Sequence, residues 1–290
     1  MNDAAPRDGW LYCLPALAVL CAFGAIPMAI NAWHSLFDIF TLDSKHWVGL
    51  DWYRGMLTSG RFYDSFLRSL TFSAVILAIQ IPLGLFIALT LPRSGWLQSP
   101  ALILLALPLM MPWNMIPATW LSLIDPETGY VGRALVWAGI SFDYKFNALH
   151  TWILIVVMDT WHWVGLVAIL AYSGLAAIAP AYYQAAAIDR ASRWQVFRYI
   201  ELPKLRGVLL MAVMLRFMDS FMIYTEAFGI NAGGPSNATA FLSLDLGEEI
   251  KAFQYGPAAA RSVLYFLITL SLTFAFWRLF RAGQTEKATA

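Results

Sequence analysis

The residues best suited to chemistry in this chain form a cluster at 158–163, in the middle of an apolar segment. Asp159 and His162 are three positions apart and share one face of a helix. Trp161 and Trp163 add two aromatic planes beside them. Aromatic rings can stack on the apolar faces of a polyhydroxylated solute, while a carboxylate and an imidazole bind its hydroxyl groups. The pattern predicts a solute site to which Asp159, Trp161 and His162 contribute.

Other apolar segments hold further candidates for the same pathway, because polar residues in a membrane span usually face a cavity or a partner. These candidates are Trp113, Asn114, Tyr224, Glu226 and Asn231. For Arg216 and Asp219, which are also three positions apart, we predict a structural ion pair or a contact with a partner chain rather than a role in the pathway. For the tryptophans, the alternative is a belt at the membrane interface.

Two other classes of protein compete with a solute carrier. An intramembrane enzyme would use Asp159 and His162 as acid–base groups or metal ligands. The chain has only four histidines, of which His162 alone is deep in an apolar segment, and it has no His-Glu-x-x-His or Gly-x-Ser-x-Gly motif. A metal site needs three or four ligands, which the sequence does not supply. The third alternative is a scaffold that docks a cytoplasmic protein without transport.

The elements that position these residues are membrane spans. Of the 290 residues, 60% are hydrophobic and 13% charged, whereas soluble domains are about a quarter charged. A span needs about 20 mostly apolar residues. Six segments qualify: 11–33, 66–91, 99–122, 149–173, 207–229 and 259–281. We therefore predict an all-α integral membrane protein with six transmembrane helices, in contact with lipid, forming one domain over 1–290.

Proline and charge refine this outline. Pro82, Pro108, Pro112 and Pro117 should kink or break the second and third helices. Lys and Arg are more frequent in one set of connecting segments and concentrate in 174–206. The positive-inside rule therefore predicts that both termini are cytoplasmic. The balance of 19 basic and 18 acidic residues does not indicate a nucleic-acid partner.

The segment 174–206 is a polar, Arg-rich loop that should fold into two short helices. Pro180 suits the first turn of a helix, and Ser192 with Gln195 fits a capping box. Pro203 should stop the second helix near Leu202. Such a loop predicts a docking platform for a protein, and the alternative is an amphipathic helix that lies on lipid.

This loop resembles the EAA loop of ATP-binding-cassette importer permeases at all but two of the motif's defining positions. The departures are Gln184, where the family has Glu, and Arg190, where it has Gly. The resemblance implies that the loop docks in a groove of an ATPase subunit and transmits its closure. The resemblance implies that the following residues contact the ATPase subunit: Gln184, Ala185, Ala186, Asp189, Arg190, Ala191, Phe197 and Pro203.

A second resemblance lies in the Gly-Gly-Pro-x-x-x-Thr stretch at 233–239 and the aromatic-Gly-x-x-x-Ala stretch at 255–260. Both are similar to carbohydrate-importer permeases of the maltose and glycerol-phosphate type, in particular to the larger type of a heterodimeric pair. The resemblance implies a bacterial cytoplasmic membrane protein that works with a second homologous permease, two ATPase subunits and an extracytoplasmic solute-binding protein.

The same resemblance bears on cofactors and cargo. The chain has no GxxxxGK[ST] phosphate loop, so ATP and Mg²⁺ are expected on the partner ATPase subunits and no cofactor or metal on this chain. Since Asp159 and Glu226 supply carboxylates rather than cations, we expect a neutral sugar or a polyol such as glycerol. Glycerol phosphate or another small solute is the alternative.

Overall fold

The structure, a computed structural model, describes residues 12–41 and 44–285. Both chain ends lie outside these residues, and so does the predicted cytoplasmic location of the termini. The chain divides into two compact units. Unit one comprises the residues up to Tyr63 together with Asp245–Leu270, and unit two comprises Asp64–Leu244 with the residues from Ser271 onward. The boundary falls within three helices, and the prediction of a single domain over 1–290 stays a prediction.

Unit one begins with a long apolar helix whose middle widens into a π-helical turn. A β-hairpin follows, in which Phe37 pairs with Trp47 in antiparallel register. This hairpin departs from the predicted all-α class, although the fold is mostly helical. The elements are α1 (Leu14–Leu20), the π-helical turn Cys21–Ala25, α2 (Ile26–His34), β1 (Phe37–Thr41), β2 (Ser44–Trp47) and α3 (Asp51–Leu57).

Close contacts fasten the hairpin to the last helix within unit one. A Cβ at Gly256 would lie 2.2 Å from the carbonyl oxygen of Phe37, so only glycine permits this approach. Trp52 Nε1 donates to the same carbonyl at 3.1 Å. Nearby, Arg261 holds Glu249 with two hydrogen bonds, 2.8 and 2.5 Å long. These contacts give the Gly of the aromatic-Gly-x-x-x-Ala stretch a steric explanation.

Unit two is built around a helix that is buried along much of its length. Its elements, some of which continue into unit one, are α4 (Gly60–Thr90), α5 (Gln98–Ala106), the 3₁₀ turn Pro108–Met110, α6 (Met115–Ile124), α7 (Tyr130–Trp137), α8 (Ala148–Ala176), α9 (Pro180–Ile188), α10 (Arg193–Val196), the π-helical turn Phe197–Glu201, α11 (Leu202–Phe221), α12 (Thr225–Asn231), α13 (Leu242–Lys251) and α14 (Tyr255–Thr285).

The core of unit two surrounds α8. Ile155 and Met158 of α8 are fully buried and pack with Phe72 of α4. A Cβ at Gly165 would lie 2.1 Å from the carbonyl oxygen of Leu105, so α5 approaches α8 more closely there than any side chain allows. The central residues of α8, including the polar cluster, are therefore held on a rigid, close-packed helix.

Five helices in the described part of the chain are long and apolar enough to cross a membrane. They are Leu14–His34, Gly60–Thr90, Ala148–Ala176, Arg193–Asn231 and Tyr255–Arg278. The third predicted span, 99–122, is not one helix but α5, a 3₁₀ turn and α6. Met111 has the extended backbone that a following proline favours, and this ends the first piece before Pro112. The expected break is confirmed here.

The outcome differs for two other prolines. A break at Pro82 was wrong, because this residue lies inside an unbroken 31-residue helix, and the alternative of a kink stays a prediction. Pro203 does not stop the second short helix but lies in the first turn of α11. The N–H of Leu202 bonds to the carbonyl of Phe197, five residues back, so the helix widens just ahead of the proline ring. The predicted span 207–229 lies within the candidate span Arg193–Asn231, in which α11 ends at Phe221 and α12 follows as a separate helix.

Candidate functional site

Residues 180–203, named here the 180–203 element, form a helix, a tight turn and a second helix. Pro180 lies in the first turn of α9, as predicted. At the other end of α9, the N–H of Ala191 bonds to the carbonyl of Ala186 at 2.9 Å, and that of Arg190 bonds to Ala187 at 3.2 Å. This pair of bonds is the Schellman motif that ends many helices.

Arg190 occupies the position of that motif where glycine is preferred. Its φ of 51° lies in the left-handed region, which costs a residue with a Cβ about 1–2 kcal/mol. The element therefore keeps the backbone conformation typical of glycine, with an arginine at that position.

The second helix of the element begins at a capping box, as predicted. Ser192 Oγ accepts from the Gln195 N–H at 3.3 Å, and Gln195 Oε1 accepts from the Ser192 N–H at 2.6 Å. Two otherwise unpaired N–H groups are thus satisfied. The turn at Arg190 and this cap together fix the angle between α9 and α10.

Most of the predicted docking residues lie on the outside of the element. Gln184, Ala185, Asp189, Arg190 and Pro203 are exposed, Ala191 and Phe197 are half-buried, and Ala186 is buried. A notch of about 370 Å³ opens between the two helices, with Asp189 and Ala185 in its wall. The rings of Trp194 and Phe197 pack at a tilt with their centroids 5.4 Å apart, and Trp194 is exposed. The 180–203 element therefore presents a surface with a notch between its two helices and an exposed aromatic ring, Trp194.

Beneath this surface, Glu201 is almost completely buried and carries three hydrogen bonds. Arg193 Nη1 donates to it at 2.6 Å, Arg93 Nη2 at 3.1 Å and Tyr183 Oη at 3.2 Å. Partial burial alone would lower the pKa of Arg93, but its hydrogen bonds to Tyr183 and Glu201 together raise that pKa above its usual value. The sequence prediction missed this group, although Glu201 is the only acidic residue between Asp189 and Asp219.

A second polar group, named here the Arg216 cluster, lies where α4, α8 and α11 meet. It consists of Gln80, Asp159, Trp163, Arg216 and Asp219. Arg216 Nη2 bonds to Asp159 Oδ2 at 2.6 Å and Arg216 Nε to Gln80 Oε1 at 2.7 Å, while Nη1 pairs with Asp219. Gln80 Nε2 closes the ring by donating to Asp159 Oδ2 at 2.7 Å. The ion pair of Arg216 and Asp219 was predicted, whereas Gln80 was not.

The Arg216 cluster continues into a set of aromatic rings. The guanidinium carbon of Arg216 lies 4.7 Å from the Trp163 ring centroid, a cation–π distance. Trp163 meets Trp113 edge to face at 6.2 Å and His162 at 4.9 Å. Trp161 points elsewhere and meets Trp120 at 5.8 Å. Only two of these rings therefore offer a broad free face: Trp113 is 56% and Trp161 37% exposed.

The remaining predicted pathway residues differ in how far they are buried. Asn114 is exposed, whereas His162 is buried and neither ring nitrogen has a close hydrogen-bond partner. Glu226, in the first turn of α12, is also buried. Tyr224 stacks on Phe228, and Asn231 Nδ2 donates to the carbonyl of Tyr144 at 3.2 Å. Among the described residues, no group of three or more His, Cys, Asp or Glu could hold a metal ion.

Comparison with known proteins gives a consistent result. Residues 80–282 match the family described as binding-protein-dependent transport system inner membrane component. The chain is 30% identical over 275 residues to the trehalose/maltose transport system permease protein MalF of Thermococcus litoralis, covering 94% of this chain and 93% of that protein. It is 28% identical over 283 residues to the sn-glycerol-3-phosphate transport system permease protein UgpA of Yersinia pseudotuberculosis, covering 93% and 92%.

A solved structure shares the fold. The chain is similar to one in the crystal structure of a bacterial ABC transporter involved in the import of the acidic polysaccharide alginate. The TM-score is 0.77 at 19% identity, and the alignment covers 95% of this chain and 96% of that one.

Proposed function

Since this chain belongs to the family of binding-protein-dependent transport system inner membrane components, we propose that it forms half of a translocation pathway that ATP drives through the 180–203 element. The chain is a permease of the sugar and glycerol-phosphate class of ATP-binding-cassette importers. It is a transporter subunit and not an enzyme, so the intramembrane-enzyme alternative is excluded.

One observation carries the proposal: the 180–203 element is folded, exposed and continuous with a membrane-length helix. Its second helix runs through the π-helical turn into α11, so a push on the element is transmitted to the membrane segment without a flexible joint. Two ATPase subunits, which bind ATP and Mg²⁺, supply that push. Gln184, Ala185, Asp189 and Phe197 are among the residues that contact them.

The proposed complex has two further partners, a second permease and a solute-binding protein. A second homologous permease forms the other half of the pathway, with this chain as the larger type of the pair, and an extracytoplasmic solute-binding protein delivers the cargo. Both termini and the 180–203 element face the cytoplasm. An impermeant thiol reagent added to spheroplasts should therefore modify a Trp137→Cys variant and spare an Ile188→Cys variant. The opposite pattern would refute this orientation.

The cargo we propose is a neutral sugar or polyol. The exposed rings of Trp161 and Trp113 suit the apolar faces of such a solute, and Asn114, Tyr224 and Asn231 supply hydrogen-bonding groups beside the pathway. Asp159, His162 and Glu226 are buried within the chain. We assign them to the wall of the pathway, where they become accessible when the permease changes conformation.

Glycerol phosphate is the second candidate, because a relative at 28% identity is named for it. A phosphate ester needs a free cation or several N–H donors. The cation of the Arg216 cluster already bonds to Asp159, Gln80 and Asp219. The neutral solute therefore fits the described residues better.

Co-expression of this chain with its neighbouring transport subunits tests the proposal. Purification of the chain should recover an ATPase and a second permease, and the solute-binding protein with its solute should stimulate ATP hydrolysis. The solute is found by screening trehalose, maltose, glycerol and glycerol 3-phosphate for those that raise the binding protein's melting temperature. Recovery of a complex that no solute stimulates would refute transport and favour a scaffold.

A further inference from the structure

Glu201 is the point at which three separate segments of unit two meet. Arg93 belongs to the loop 91–97 between α4 and α5, Tyr183 to α9, and Arg193 to the start of α10. All three donate to the carboxylate of Glu201, the last residue of the π-helical turn ahead of α11. One side chain therefore connects both helices of the 180–203 element to a loop more than a hundred positions earlier in the chain.

The loop 91–97 is anchored on its other side to α8. Tyr172 Oη donates to the carbonyl of Pro92 at 3.0 Å and accepts from Gln98 Nε2 at 2.9 Å. The guanidinium of Arg93 also lies over the Tyr183 ring, 5.2 Å from its centroid. The loop 91–97 is thus held by hydrogen bonds both to α8 and to Glu201.

The exposure of the partners shows that stability alone does not explain this arrangement. The Glu201 side chain is 1% exposed, but those of Arg93 and Arg193 are 41% and 58% exposed. Water screens the two cations, so the pairs contribute little net stability against the cost of burying a carboxylate. What the group does supply is a link between segments, because Arg93 and Tyr183 bond to Oε1 of Glu201 while Arg193 bonds to Oε2.

We propose that Glu201 is a positioning residue that locks the 180–203 element to the loop 91–97, so that a displacement of the element moves the adjoining ends of α4 and α5 together with α11. This inference rests on the proposed function, since it takes an ATPase to displace the element. Glu201 would then distribute the motion over three helices, α4, α5 and α11, instead of one.

The test measures whether the element and the loop move as one body. Trp96 in the loop and Ile188 in the element are 82% and 83% exposed, so spin labels there remove no buried contact within the chain, and recovery of the ATPase by the labelled chain is verified first. Labels are introduced at both positions of a chain whose exposed Cys13 and Cys21 are replaced by serine. Electron–electron double resonance then gives the distance between the labels in the whole complex, nucleotide-free and trapped with ADP and vanadate.

We expect the same narrow distance distribution in both states for the unsubstituted Glu201, because the link keeps the two segments together. In Glu201→Gln the distributions should broaden and differ between the two states, while the recovered ATPase stays within about twofold of the original. The half-exposed arginines can turn to water, so this variant should fold. Arg93→Gln should act in the same way, and the double variant should add nothing further. Arg206→Gln, an exposed charge outside the element, is the matched control.

Each result decides something. Distributions in Glu201→Gln that match the original in both states would overturn the proposal, and so would a change of equal size in Arg206→Gln. If the unsubstituted chain recovers no ATPase at all, the proposed function itself fails and this inference falls with it. That failure is distinguishable, because it is visible before any label is read.

Discussion

Arg216 and Asp159 form an ion pair inside unit two, with Nη2 and Oδ2 2.6 Å apart and side chains that are 1% and 2% exposed. The pair joins α11 to α8, and Gln80 bonds to both partners. Since a buried charge that loses a partner is far more costly than a buried pair, removing one of the two residues should destabilise the chain more than removing both.

Asp159→Ala should lower the free energy of unfolding by about 3 kcal/mol, because it removes one of the two acidic partners of a buried guanidinium. Asp219 still pairs with Arg216, which keeps the loss near the low end for such changes. Thermal unfolding in detergent measures it. Adding Arg216→Met should restore part of the loss, since no uncompensated cation then remains. A double variant less stable than Asp159→Ala would contradict this account.

Arg190→Gly should stabilise the turn between α9 and α10. The left-handed backbone costs Arg190 about 1–2 kcal/mol, which glycine avoids. Glycine loses more backbone entropy on folding, which offsets about 0.5–1 kcal/mol of that gain. Hydrogen exchange at the Ala191 N–H, whose bond to Ala186 closes the turn, should slow by about two- to fivefold. Arg190→Ala is the matched control and should show no such slowing, because it keeps the Cβ.

Asp189→Ala should leave the fold intact and reduce the amount of ATPase that co-purifies, by about tenfold or more in affinity. Asp189 is exposed, so the substitution removes no buried contact. Quantitative pull-down measures the effect, and membrane insertion of the variant confirms its integrity. Glu127→Ala, an exposed acid on another loop, should bind normally. Full ATPase recovery and full transport in Asp189→Ala would remove Asp189 from the docking surface.

Trp161→Ala should spare assembly and reduce solute uptake. An aromatic contact of about 1 kcal/mol corresponds to roughly a fivefold loss. Because Trp161 also meets Trp120, Trp161→Phe serves as the rescue that keeps an aromatic face. Trp137→Ala, at a 90% exposed position outside the proposed pathway, is the matched control. Unchanged uptake in Trp161→Ala would rule out this residue as a solute contact.

Local chemistry made part of the structure predictable. The capping box of Ser192 and Gln195 and the helix start at Pro180 depend on residues within one turn of each other, so the sequence contains the whole interaction. The apolar segments predicted six spans; five of them correspond to long apolar helices in the described part of the chain, and 99–122 is divided instead. The stop at Pro203 failed because a π-helical turn accommodates the proline, and residue propensities do not encode that wider turn.

Long-range polar contacts were the least predictable part. Gln80 and Arg216 are 136 positions apart and Arg93 and Glu201 are 108 apart, so no spacing rule joins them. The strain at Arg190 differs, because the hydrogen bonds that close its turn are local and the departure from the family's glycine marks this position in the sequence. Polarity within an apolar helix would have marked Gln80 as notable, but only the packing of α4 against its neighbours shows what it binds.

The π-helical turn Phe197–Glu201 sets the rotation of α10 relative to α11 about their common helix axis. A wide turn holds about one more residue than a regular one, which rotates everything beyond it by roughly 100°. The exposed face of α10 and the packed face of α11 are therefore out of phase. Deleting one residue between 197 and 200 would restore a regular helix and turn the ATPase-facing surface by that angle relative to α11.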